Sequence, residues 1–124
     1  MEAKKRFDNS PILMRFKKWC YSCLEIVKSL EYNNENKVII NQVVRSATSS
    51  YMNYRTVNRA KSKADMIHKL KIVEEETDET IGWLEMIQDR NSTDTSCVRK
   101  EADELLRIII SSIATLRKNN RATE

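Results

Sequence analysis

Turn-making residues are almost missing from this chain: it has one glycine and one proline in 124 residues. Two-residue β-hairpins rest on glycine or Asn-Gly turns, and a sheet protein of this length would need several. That scarcity excludes an all-β fold. No apolar run approaches the roughly 20 residues of a membrane-spanning helix, so no membrane partner is expected. The opening MEAKKRFDNS is basic, yet no apolar segment of the signal-peptide kind follows it. Three cysteines make an odd set with no disulfide framework, which points to free thiols in a reducing cytoplasm. With a single histidine and no nucleophile pair, metal set or phosphate loop in evidence, the chain is not expected to be an enzyme. Neither a cofactor nor a metal is expected.

What is present is a helical composition. Charged residues make up 32% of the chain and aromatics 6%, and lysine, glutamate, arginine, leucine and isoleucine are good helix formers. The length suits one domain, residues 1–124, with a core that needs no covalent staple. Four segments carry apolar residues at three- and four-residue steps. After a polar stretch over 1–9, expected to fray, Ser10-Pro11 signals a helix start. Leu13, Phe16, Cys20, Cys23, Val27 and Leu30 then share a face, giving a helix over about 11–31. The asparagine-rich run at 32–36 reads as a break. Ile40, Val43, Ala47, Ser50 or Tyr51, and Tyr54 mark a second helix over about 37–60, and its small residues Ser46, Ala47, Ser49 and Ser50 suit a tight crossing. Ser62-Lys63-Ala64-Asp65 fits a capping box and opens a third helix, about 62–90, along Leu70, Val73, Thr77, Ile81 (or Thr80), Leu84 and Ile87. Gly82 in its middle is either tolerated or marks a close helix contact. The fourth, about 95–118, follows Val98, Ala102, Leu105, Ile109, Ser112 or Ile113, and Leu116. Leu106 and Ile110 widen its stripe, which suggests a second buried face and hence a subunit contact. The expected architecture is an all-α, antiparallel up-down four-helix bundle that forms a homo-oligomer.

The stretch 43–87 resembles a known family. Arg45-Ser46-Ala47-Thr48-Ser49, Asn53-Tyr54-Arg55 and Arg59-Ala60-Lys61-Ser62 match its second-helix signature. Asp65 to Ile72, Glu75, Asp78-Glu79-Thr80 and Trp83-Leu84-Glu85 match its third. The family is the bacterial four-helix-bundle proteins encoded in intervening sequences of 23S rRNA genes, with accessory variability proteins of diversity-generating retroelements as relatives. The resemblance implies a homo-oligomer, typically a pentameric ring with a basic surface. It also implies possible partners: RNA or DNA, and a nucleic-acid-processing protein such as a reverse transcriptase. Gly82 departs from the aromatic that members often place beside the tryptophan.

The formal net charge is +4 and the sequence pI about 9.0, consistent with an anionic partner. Arg45, Arg55, Arg59, Lys61, Lys63, Lys69 and Lys71 crowd one stretch and form the candidate nucleic-acid-binding set. On one continuous helix Arg55 and Arg59 would share a face. Lys4, Lys5, Arg6, Arg15, Lys17, Lys18, Arg117, Lys118 and Arg121 add to the basic ends. The alternative is a solvated face, or pairing with the acids at 74–79. Glu75 and Glu79 form an i,i+4 pair, read as structural acceptors for Arg45, Asn53 or Tyr54 rather than as metal ligands. A di-metal bundle needs two Glu-x-x-His elements, and Asp65-x-x-His68 is half of one. Cys20-x-x-Cys23 lies on an apolar helix face and reads as two core thiols, since zinc would need Cys97 and His68 as well. A helical ribonuclease of the HEPN type would place an arginine a few residues before His68, where this chain has Lys63. Trp19, Tyr21, Tyr51, Tyr54 and Trp83 could stack bases but at helical spacing read as packing. The expected function is a non-enzymatic accessory protein that binds structured RNA or an RNA–protein complex through repeated basic surface. A scaffold that docks an acidic protein is the alternative, and a helical-bundle ribonuclease a third.

Overall fold

A computed structural model describes residues 10–123, with side chains as far as Asn119. The fraying expected of 1–9 lies outside the described residues, as do Lys4, Lys5 and Arg6 and the side chain of Arg121. Four helices follow: α1 (Ser10–Lys28), α2 (Asn34–Arg55), α3 (Lys63–Asn91) and α4 (Ser96–Thr123). Each packs on its chain neighbour, and α1 closes on α4. Asn36 meets Asn91, and Ser50 meets Thr77. Positions rising along α2 therefore face positions falling along α3, the pairing of an antiparallel up-down bundle.

Phe16, Trp19, Val43, Tyr54, Leu84, Leu105 and Ile109 centre the core, and all are nearly inaccessible. Burying an aliphatic or phenyl side chain of this size contributes roughly 1.5–3 kcal/mol each. Phe16 stacks on Tyr54 at 5.0 Å between ring centres and meets Trp19 edge-on at 6.1 Å. The indole of Trp19 donates to the Val98 carbonyl at 3.1 Å, so its one polar atom is satisfied and α1 is pinned to the start of α4. Beside it, Arg15 grips Glu101 and Glu104.

The small residues of α2 do permit a close crossing. Ser46, Ala47 and Ser50 are fully buried against α3. Thr80 Oγ1 lies 2.7 Å from both Ser46 Oγ and the Glu76 carbonyl, and its single proton serves one of them at a time. Ser46 and Ser50 donate back to carbonyls four residues earlier. No hydroxyl at this contact is left unpaired, which matters because an orphaned buried polar group costs about 1–3 kcal/mol.

Several local expectations shift. α2 starts three residues before Lys37 because the asparagine run is a cap as well as a break. The Asn33 side chain accepts from the Asn36 N–H at 2.8 Å. Asn36 is then buried and donates to the Glu31 carbonyl and to Asn91 Oδ1. α2 also stops short of residue 60. It ends at Arg55, and a single 3-10 turn, Val57–Arg59, replaces its last helical turn. Thr56 closes onto the Asn53 carbonyl, and the chain tucks Val57 fully inside. Burial of Val57 thus overrides helix continuation. Ile39 takes the buried place expected of Ile40, and of the pair Ile81 or Thr80 it is Thr80 that is buried. The capping box opens α3 with Ser62 accepting from the Asp65 N–H, while Asp65 returns to the Lys61 N–H rather than to that of Ser62. Gly82 has no close neighbour: a Cβ built there meets nothing within 4 Å. The close-contact explanation is therefore set aside for tolerance.

Candidate nucleic-acid interface

The seven candidate cations divide by their surroundings. Arg45 is held by acids of α3: it donates to both oxygens of Glu76 at 3.1 Å and pairs closely with Glu79. Glu79 also accepts from the Trp83 indole at 3.0 Å. That hydrogen bond first, and Arg45 second, hold the Glu79 carboxyl below the usual glutamate range. Lys71 pairs with Glu74 at 3.2 Å. Arg55, Arg59, Lys61, Lys63 and Lys69 make no salt bridge among the described residues. Arg55 ends α2, Arg59 lies in the 3-10 turn, Lys61 in the connection after it, and Lys63 and Lys69 in the first turns of α3. The antiparallel topology places all of these at one end of the bundle.

The acidic partners shift by one residue from those expected. Glu76 joins Glu79 on Arg45, whereas Glu75 is exposed. Asn53 donates within its own helix, to the Ser49 carbonyl and hydroxyl. The reason is angular: Glu76 and Glu79 are three apart and flank the same turn of α2, while Glu75 sits about 100° further round the helix. The i,i+4 spacing of Glu75 and Glu79 matched a shared face but could not say which face met α2.

Arg55 and Arg59, although no longer on one helix, still converge. Both line a groove of about 540 Å³ between the start of α1 and the end of α2, together with Lys17, Asn58, Leu13 and Met14. Lys17 was assigned only to a diffuse basic end by sequence; the pairing of α1 with α2 is what delivers it here. A second groove of about 770 Å³ runs between α3 and α4 over Met66, Leu70 and Leu116, with Lys63 at its lip. At the opposite end, a smaller polar recess is formed by Glu85, Gln88, Asp89 and Arg99. There Arg99 and the Thr95 N–H both donate to Gln88 Oε1 at 2.9 Å, and the Thr95 hydroxyl donates to the Leu84 carbonyl. Those contacts lock the α3–α4 turn.

Of the other candidates, Trp19, Tyr51 and Tyr54 fall into place as packing, whereas Tyr21, expected to pack, is exposed on α1. Cys20 and Cys23 are buried, and desolvation pushes both thiols up; Cys97 is exposed. Among the described residues no group of histidine, cysteine and carboxylate side chains could hold a metal ion. His68 lies exposed on α3. No described helix is long and apolar enough to cross a membrane.

An all-α bundle of this form agrees with the comparison to known families: the model described as 23S rRNA-intervening sequence protein matches residues 12–111. The chain belongs to that family. The match extends well past the signature in α2 and α3 and reaches into all four helices. A crystal structure of a protein of unknown function from the S23 ribosomal protein family of Bacteroides thetaiotaomicron superimposes with a TM-score of 0.76 at 27% identity. The alignment covers 82% of this chain and 97% of that one. No curated protein matches the chain.

Proposed function

We propose that this member of the 23S rRNA-intervening sequence protein family is a non-enzymatic accessory protein that binds nucleic acid, structured RNA or an RNA–protein complex, through a basic surface. The observation that carries the reading is the contrast between paired and unpaired cations. Arg45 and Lys71 are neutralised by α3 acids, while the side chains of Arg55, Arg59, Lys61, Lys63 and Lys69 cluster around the α2–α3 turn without a salt bridge among the described residues. Cations left open to solvent at close spacing repel one another, and a polyphosphate relieves that repulsion while releasing its own counterions. Contacts of this kind fix position on a backbone and read little sequence. In a homo-oligomer, a pentamer by family resemblance, the same end would be repeated around a ring. Apolar side chains open to solvent, such as Ile110 at 47% and Met52 at 55% exposure, offer surface for a second copy. A nucleic-acid-processing protein such as a reverse transcriptase would then meet this chain through the RNA or beside it.

The test is a salt titration of binding to a folded RNA. The logarithm of the association constant should fall linearly with the logarithm of salt concentration, with a slope near one for each phosphate neutralised. No binding at low salt, or binding indifferent to salt, would overturn the reading.

A further inference from the structure

We infer that the groove between α1 and α2 seats an unpaired nucleotide, so that the ligand of this surface is single-stranded rather than duplex. The inference rests on the nucleic-acid reading above and sharpens it. Three cations, Lys17, Arg55 and Arg59, line this groove, and among the described residues no carboxylate does. None of the three is engaged in a salt bridge among the described residues. Part of the lining is different in kind: Leu13 and Met14 are apolar, and Met14 is 51% exposed. The other two grooves lack this combination. The one between α3 and α4 has an apolar wall with a single cation, Lys63. The recess at the far end carries Glu85 and Asp89, which repel phosphate.

A nucleotide is amphipathic in the matching sense. Its phosphate is an anion that an arginine can hold by two parallel hydrogen bonds, and its base presents a flat, weakly hydrated face. Two arginines and a lysine beside a methionine and a leucine pair each part with its complement. Methionine is polarizable and adapts its shape, which suits contact with any base rather than one. Duplex RNA keeps its bases stacked inside, so it can offer this groove only phosphates. Bringing a base out of a duplex costs a few kcal/mol. The cations therefore attract both forms, and the apolar part of the lining separates them.

The experiment uses the full chain and two fluorescein-labelled probes with equal numbers of phosphates, an oligouridylate and a blunt RNA duplex, read by anisotropy at the same salt concentrations. The single strand should bind more tightly, by about fivefold if the methionine and leucine hold one base as well as the weakest base–aromatic stack does. Met14→Ser should remove that preference while leaving duplex affinity and its salt slope unchanged. Met14 is half exposed, so the fold should survive, and circular dichroism checks that it does. Arg55→Gln together with Arg59→Gln should weaken both probes. Equal affinity of the wild-type protein for the two probes, or a preference that Met14→Ser does not touch, overturns the groove assignment and leaves the phosphate reading standing. No binding to either probe overturns both. Capture of a polyglutamate peptide in place of RNA also overturns both, in favour of an acidic protein partner.

Discussion

Replacing Gly82 with alanine should make the protein more stable. Gly82 lies within α3, is exposed, and an added Cβ meets nothing within 4 Å. Neither a lost contact nor a clash enters the balance. What remains is helix propensity, in which alanine exceeds glycine by about 1 kcal/mol at an interior position, mainly because glycine loses more backbone freedom on folding. For a chain of this size that gain corresponds to a rise in Tm of about 3–5 °C. Thermal melts and urea titrations followed by far-ultraviolet circular dichroism would measure it, and an unchanged m-value would locate the effect in stability alone. A lower melting temperature for Gly82→Ala would refute the reasoning. It would mean that something packs closely over this turn of α3, and a second copy of the chain would be the first suspect. Repeating the melts across protein concentrations would then separate a contact between copies from one within the bundle.

Glu79→Gln should lower stability near neutral pH by less than about 1 kcal/mol, because the Arg45 and Glu79 side chains are 46% and 40% exposed and water screens the pair. Since the folded state holds this carboxyl below its ordinary range, its contribution is complete above the unfolded value of about 4.3. It fades as pH falls through the lower folded value. The gap between wild type and variant should therefore close in acid, and a gap that widens there would contradict the assignment. Thiol titration of the native protein at mildly alkaline pH should show Cys97 reacting quickly while Cys20 and Cys23 stay protected until denaturant is added. Burial both shields those two and keeps them protonated. Rapid reaction of all three thiols would place Cys20 and Cys23 outside the core.

The bundle was legible because periodicity and composition agree over long stretches. Phe16, Cys20, Cys23 and Val27 fell on one face at three- and four-residue steps, and all are buried. The α3 start was legible because Ser62 and Asp65 form a local cap that depends on nothing distant. Helix ends governed by tertiary burial were not. Nothing near Val57 in the sequence says that it will be drawn inside and end α2, and nothing in the asparagine run says that Asn36 will be buried against Asn91. The candidate surface divides in the same way. Its basic residues could be named from the sequence. Which of them acids neutralise depends on the rotation of α3 against α2, which put Glu76 rather than Glu75 on Arg45. Lys17 joins Arg55 and Arg59 only because α1 runs back along α2.

The central claim is that cations free of salt bridges bind the polyanion and that the paired ones, Arg45 and Lys71, do not. Its most direct test is to compare the salt dependence of RNA binding for two variants of the full chain, Lys61→Gln with Lys63→Gln, and Arg45→Gln. The account predicts that the slope of log affinity against log salt shrinks by about one for each of the two lysines removed, with no change in slope for Arg45→Gln. A slope that falls on loss of Arg45 and holds on loss of the two lysines would contradict it.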